Sequence, residues 1–168
     1  MNHQLIKDVF ELAVQNDMDY HGCAQSVLAA LQAKLGIGDA ALLKAGTALN
    51  GGMASQGETC GALIAAVMAI GCECGREHLK DVEKIQPAKG IAIQVYDRFR
   101  NEVGHSLCAE IHKIRFGRSF YLADPEQWQA FHDAGGHNRT SCPEVCGIAA
   151  RIAAETILKL RASSSTEF

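Results

Sequence analysis

Residues 62–72 run for 11 positions without a charge, and every one is Ala, Leu, Ile, Val, Met, Gly or Cys. A helix that is apolar on every side has to be surrounded by protein. A membrane-spanning helix needs roughly 20 such residues, so this one is too short to cross a bilayer. The segment predicts a central, buried helix over residues 60–71, around which the rest of the chain must pack.

The remaining apolar residues recur mostly at helical spacing, and strand-like alternation is scarce. Helices are predicted over residues 3–15, 20–35, 39–49, 88–101 and 106–115. A short one follows from Asp124-Pro125 to Ala134, with Asp124 as cap and Pro125 at the first helical position. The last runs over 143–161, and residues 116–124 read as a loop or a brief extended piece. The fold class is therefore all-α, a compact bundle of about six to seven helices. No linker or compositional shift divides the chain, so one domain is expected over residues 1–162, with a flexible tail over 163–168.

Of the 168 residues 48% are apolar, enough for a real core without disulfide staples. A formal net charge of −3 offers no basic field for nucleic acid or anionic lipid, so neither nucleic acid nor membrane is an expected partner. Lys7, Asp8 and Glu11 stand where a secretion signal would need an apolar stretch. The expected location is the reducing cytoplasm, where structural disulfides are rare.

Seven cysteines are then the anomaly. A buried cysteine often packs simply as a small hydrophobe. Here four of them, Cys23, Cys60, Cys108 and Cys146, fall at or near predicted helix starts. Unpaired N–H groups and the helix dipole there favour thiolate, the form that attacks disulfides and binds metals. Cys60 and Cys23 are the candidate nucleophiles. Cys60 also ends a glycine-rich loop, residues 50–57, in which Gly51, Gly52 and Gly57 permit close backbone approach to a cofactor. The loop lacks the Lys-Ser/Thr ending of a phosphate-binding P-loop. Cys142 and Cys146 form a helical i, i+4 pair, and Cys72-Glu73-Cys74 a C-x-C pair in the loop after the central helix. His112 is spaced to share a helix face with Cys108, and His21 precedes Cys23 by two residues. His3, His78, His132 and His137 read as surface residues. No C-x-x-C occurs, which removes the thioredoxin motif and the zinc knuckle.

Four segments in order carry a resemblance: 22–27 (Gly-Cys-Ala-Gln-Ser-Val), 60–65 (Cys-Gly-Ala-Leu-Ile-Ala), 106–111 (Ser-Leu-Cys-Ala-Glu-Ile) and 146–150 (Cys-Gly-Ile-Ala-Ala). Together they resemble the redox-active C_GCAxxG_C_C proteins, with Ala65 where that family has glycine. The likeness spans about residues 8–160, and Cys72, Cys74 and Cys142 are extra to its four-cysteine pattern. A similar domain in split-Soret cytochromes, beside haem-binding segments, is associated with an iron–sulfur cluster.

The resemblance implies a cysteine-based redox protein that binds an iron–sulfur cluster for electron transfer. Cys60, Cys108 and Cys146 would be ligands, with Cys23, Cys142 or a histidine completing the set. Two alternatives stand beside it. One is a metal-free thiol–disulfide protein. The other is a soft-metal (Zn/Cu) binder using Cys72, Cys74, His78 and the Cys142/Cys146 pair. A redox partner protein and a homodimer are the expected partners, since a largely apolar helical chain of this size often hides one face in a dimer.

Overall fold

Helix ends fall where the sequence supplies a cap or a left-handed glycine. The Asp39 carboxylate accepts the Leu42 N–H at 2.9 Å, and Asp124 accepts the Gln127 N–H at 3.0 Å. Gly36, Gly104 and Gly117 end helices at φ of 68°, 102° and 73°, and each donates its N–H back into the last turn.

The computed structural model describes residues 2–164. They form α1 (Asn2–Tyr20), α2 (Cys23–Leu35), α3 (Ala40–Ala45), α4 (Gly61–Cys74), α5 (Ile85–Val103), α6 (Cys108–Phe116), α7 (Pro125–Asp133) and α8 (Cys142–Ser164). Short 3-10 turns follow α3 and precede α5, and no strand occurs among the described residues. The all-α expectation is met: the eight helices fall on the eight predicted segments, one or two more than the overall count of about six to seven. The short, side-chain-capped α3 and α7 stand as helices in their own right.

α8 packs against α1, α2, α4 and α5, and α4 packs against α2, α5 and α8. Small residues set these approaches: Ala62, Ala65, Ala66 and Ala69 on α4, and Gly147, Ala149, Ala150, Ala153 and Ala154 on α8, are buried. Leu28, Leu31, Leu63, Ile70, Phe99, Ile152 and Ile157 fill the space between. Each such side chain contributes about 1.5–3 kcal/mol of transfer free energy. Arg98–Glu155 and Arg151–Glu102 ion pairs join α5 to α8 at the surface.

Several boundaries differ from expectation: α1 runs on to Tyr20 rather than ending at residue 15, and α5 spans Ile85–Val103 rather than 88–101. α4 starts at Gly61 and continues through Gly71 to Cys74, so Cys72 and Cys74 lie in its last turn and not in a following loop. α8 continues to Ser164, and within it Ser163 and Ser164 each donate a hydroxyl to the carbonyl four residues back. The expected tail is therefore helical at residues 163–164, and the rest of it, 165–168, lies outside the described residues.

Candidate cysteine site

Cys60 and Cys108 are 48 positions apart in sequence and are held side by side by main-chain pairing. The Cys60 N–H donates to the Ser106 carbonyl at 2.8 Å, and the Cys108 N–H to the Glu58 carbonyl at 2.7 Å, around an isolated bridge between Thr59 and Leu107. Each chain then turns directly into its helix. Cys60 is the N-cap of α4 and Cys108 the first residue of α6. Cys23 and Cys142 are the first residues of α2 and α8.

The loop after α3 completes the wall. Residues 51–55 are all left-handed, with φ between 50° and 71°, and Met53, Ala54 and Ser55 adopt this without the freedom of glycine. This tight turn presents Asn50, Gly51 and Ser55 to a cavity of about 370 Å³. Asn50 Oδ1 accepts the Ala24 N–H at 3.0 Å and lies 3.8 Å from the Cys23 sulfur, so it caps α2 from outside. Of the three candidate glycines, Gly51 faces the cavity. Gly52 and Gly57 instead let the loop press on α6: a Cβ at Gly52 would stand 2.6 Å from Cys108 Cβ, and one at Gly57 3.2 Å from Ala109 Cβ.

Cys23, Cys60, Cys108 and Cys142 all line this cavity. Cys146, one turn deeper on α8, does not line it; its side chain is fully buried, with the sulfur 3.8 Å from the Cys23 carbonyl. Of the two candidate ligands on α8, Cys142 lines the cavity and Cys146 lies one turn behind it. Cys72 is exposed, and Cys74 Sγ is engaged with the Ile70 carbonyl at 3.3 Å. Neither lines the cavity, so Cys72 and Cys74 share no site with the Cys142/Cys146 pair.

The helix starts do not produce thiolates here. Burial pushes the Cys23, Cys108, Cys142 and Cys146 thiols up, and neighbouring cysteines and, for all but Cys108, Asp17 add to the rise. Cys60 is raised by burial too, but the N–H groups of Leu63 and Ala62 and the charge of Arg115 oppose the rise. Desolvation thus outweighs the helix dipole, whose effect is only about 0.3–1 kcal/mol in most settings.

Three neighbours escaped sequence reading. Asp17 is 1% exposed on the buried side of α1, with Oδ2 unpartnered, and burial raises its pKa to about 6 despite His21, Cys146 and Ser26. Its signal was positional: it sits four residues after Ala13, on the core stripe. Asn50 gave no signal apart from its loop. His137 is half-buried and stacks on His21 with ring centroids 3.8 Å apart, which corrects its reading as a surface residue; His132 is exposed as expected. The Cys108–His112 pairing does form, with Sγ 3.6 Å from Nε2. His112 stacks on Phe131 and meets Phe116 and Phe120 edge-on. Burial holds its pKa at about 4, so it is a neutral imidazole.

Fold and site define an all-α protein built around a cavity walled by four cysteines at four helix starts. Residues 21–156 match the family model described as putative redox-active protein (C_GCAxxG_C_C), and the chain belongs to that family. No curated protein and no solved structure matches it.

Proposed function

We propose that the cavity holds an iron–sulfur cluster ligated by Cys23, Cys60, Cys108 and Cys142, and that the protein carries electrons to or from a partner protein. One observation supports this above the rest: four thiols from four separate helices line one cavity, and in the metal-free protein burial keeps them neutral. Four thiols, two buried and two half-buried, with Arg115 the one positive side chain that lowers a thiol's pKa among them, fit a soft, cationic guest that takes up their deprotonated form. When bound, the cluster supplies one-electron chemistry.

The chain's own groups are suited to sulfur ligands. The N–H groups of Gly51, Ala62 and Leu63 point at the Cys23 and Cys60 sulfurs and favour their charged form. His112 stands against Cys108. Asp17, beside Cys146 and facing the cavity, titrates near neutral pH and can take a proton that a ligating thiol gives up. Metal-free thiol exchange is less well served, because it needs an accessible thiolate and burial disfavours one at every cavity cysteine.

The test is iron and sulfide analysis of protein purified or reconstituted without oxygen, with absorption and electron paramagnetic resonance spectra. Serine at position 23, 60, 108 or 142 should each reduce bound iron, while C72S and C74S leave it unchanged. Wild-type protein that retains neither iron nor sulfide would sink the reading.

A further inference from the structure

His21, His132 and His137 come from three places: the junction of α1 and α2, the last turn of α7, and the loop before α8. One ring nitrogen from each lies within 4.8 Å of the others. His21 and His137 also line the mouth of the cysteine cavity. We propose that these three histidines form a site for a zinc-class divalent transition ion, separate from the thiols.

Four independent features favour a ligand there over a chance surface cluster. Both ring nitrogens of His137 are buried and have no hydrogen-bond partner. A buried polar group left without a partner is destabilising, and a bound ion would satisfy one of the two nitrogens. His21 Nδ1 sits 3.1 Å from the Asp17 carbonyl. Donation there fixes the tautomer and frees Nε2 as a lone pair, the arrangement metal-bound histidines adopt. His21 takes a left-handed φ of 58°, a conformation that residues with a Cβ seldom adopt. That backbone brings its ring against His137. The rings are also braced from outside: Trp128 stacks on His132 with an interplanar angle of 5°, and Phe131 meets His137 edge-on at 5.2 Å.

The donor set selects the ion. Three imidazole nitrogens suit zinc, cobalt(II), nickel or copper(II), whereas magnesium and calcium need oxygen ligands. Tetrahedral zinc with bonds of about 2.0–2.1 Å separates its ligand atoms by roughly 3.4 Å. The present spacing, within 4.8 Å, is wider than that, so a bound ion would draw the three rings together by side-chain rotation. Three protein ligands leave a fourth position, and two of the three histidines, His21 and His137, border the cavity. Such an open position is the hallmark of zinc sites that bind water or substrate rather than serve structure alone.

Cobalt(II) is the probe, titrated into the full-length metal-free protein without oxygen. The expected result is one equivalent showing visible d–d bands and no thiolate-to-metal charge-transfer band. H132A and H137Q should weaken that equivalent by at least roughly tenfold, and H3A, at an exposed histidine elsewhere, should not. Circular dichroism of each variant checks that it folds, and exposed His132 can be removed with little risk to the core. The proposal is overturned if every bound equivalent carries thiolate charge transfer, or if H132A and H137Q bind cobalt as tightly as wild type. It does not depend on the iron–sulfur reading, which is judged by iron, sulfide and the cysteine variants.

Discussion

A methyl group at Gly52 would stand 2.6 Å from Cβ of Cys108 and 2.6 Å from the Glu58 carbonyl oxygen. The loop before α4 and the start of α6 are therefore in contact only because position 52 has no side chain, and φ there is +71°. G52A combines left-handed strain with overpacking, together about 2–4 kcal/mol. It should lower Tm and, in the fraction still folded, speed alkylation of Cys108. Gly147 is the control. Its Cβ would press on Phe10 and Val14, between α8 and α1. G147A should cost about 1 kcal/mol, partly offset by better helix propensity, with Cys108 alkylation unchanged.

Most helices were legible from the sequence, because apolar spacing and the Asp39, Asp124 and Gly104 signals act locally. Cys60 was legible for the same reason: a glycine-rich loop meets an apolar helix at that residue. The choice between Cys142 and Cys146 was not, because it depends on where α8 begins relative to α1 and α2. Asp17 and His137 were missed because their environments are made by distant segments. Asp17 is buried by α2 and α8 closing over α1, and His137 by stacking on a residue 116 positions away. The predicted thiolates failed on magnitude: a helix dipole is a local effect, and burial is a property of the whole fold.

Asp17 should make stability depend on pH with an unusual sign. Burial raises its pKa from 3.8 to about 6, so the folded state holds a proton that the unfolded chain releases between those values. Stability is fully present below pH 3.8 and falls as pH rises through 6, by about 3 kcal/mol for the group alone. His112 and His137 act oppositely, since both stay neutral down to about 4 in the folded state. The comparison must therefore be with D17N in metal-free protein. D17N should be the more stable form at pH 7.5, and the gap should close toward pH 4 in urea titrations. A gap that does not change with pH would mean that Asp17 is not the titrating group.

The seven thiols should alkylate in a fixed order. Cys72 is exposed at the end of α4, whereas Cys60 and Cys108 are buried and Cys146 is completely enclosed. Access favours Cys72. Mass spectrometry after brief iodoacetamide treatment of reduced, native protein should find Cys72 labelled first and Cys146 last. The order should vanish in urea. Early labelling of Cys23 or Cys142 would mean that the cavity opens more readily than its walls suggest.

The left-handed turn at residues 51–55 should hold recoverable strain. Ala54 has φ 50° and an exposed side chain, so its Cβ adds steric cost there and little packing. That cost is about 1–2 kcal/mol for a residue other than glycine. Glycine removes it but frees the unfolded chain, which costs back about 0.5–1 kcal/mol. A54G should therefore stabilise the protein by about 0.5–1 kcal/mol, read as a higher urea midpoint at unchanged slope. The Ala54 N–H donates to the Ala48 carbonyl at 2.7 Å, a bond that glycine preserves. A54P, which loses that donor and cannot adopt positive φ, should destabilise the turn and, through Asn50, loosen the cap on Cys23 and Ala24. If A54G were instead destabilising, the turn would not be left-handed in solution, and the placing of Asn50 and Gly51 on the cavity wall would have to be revised.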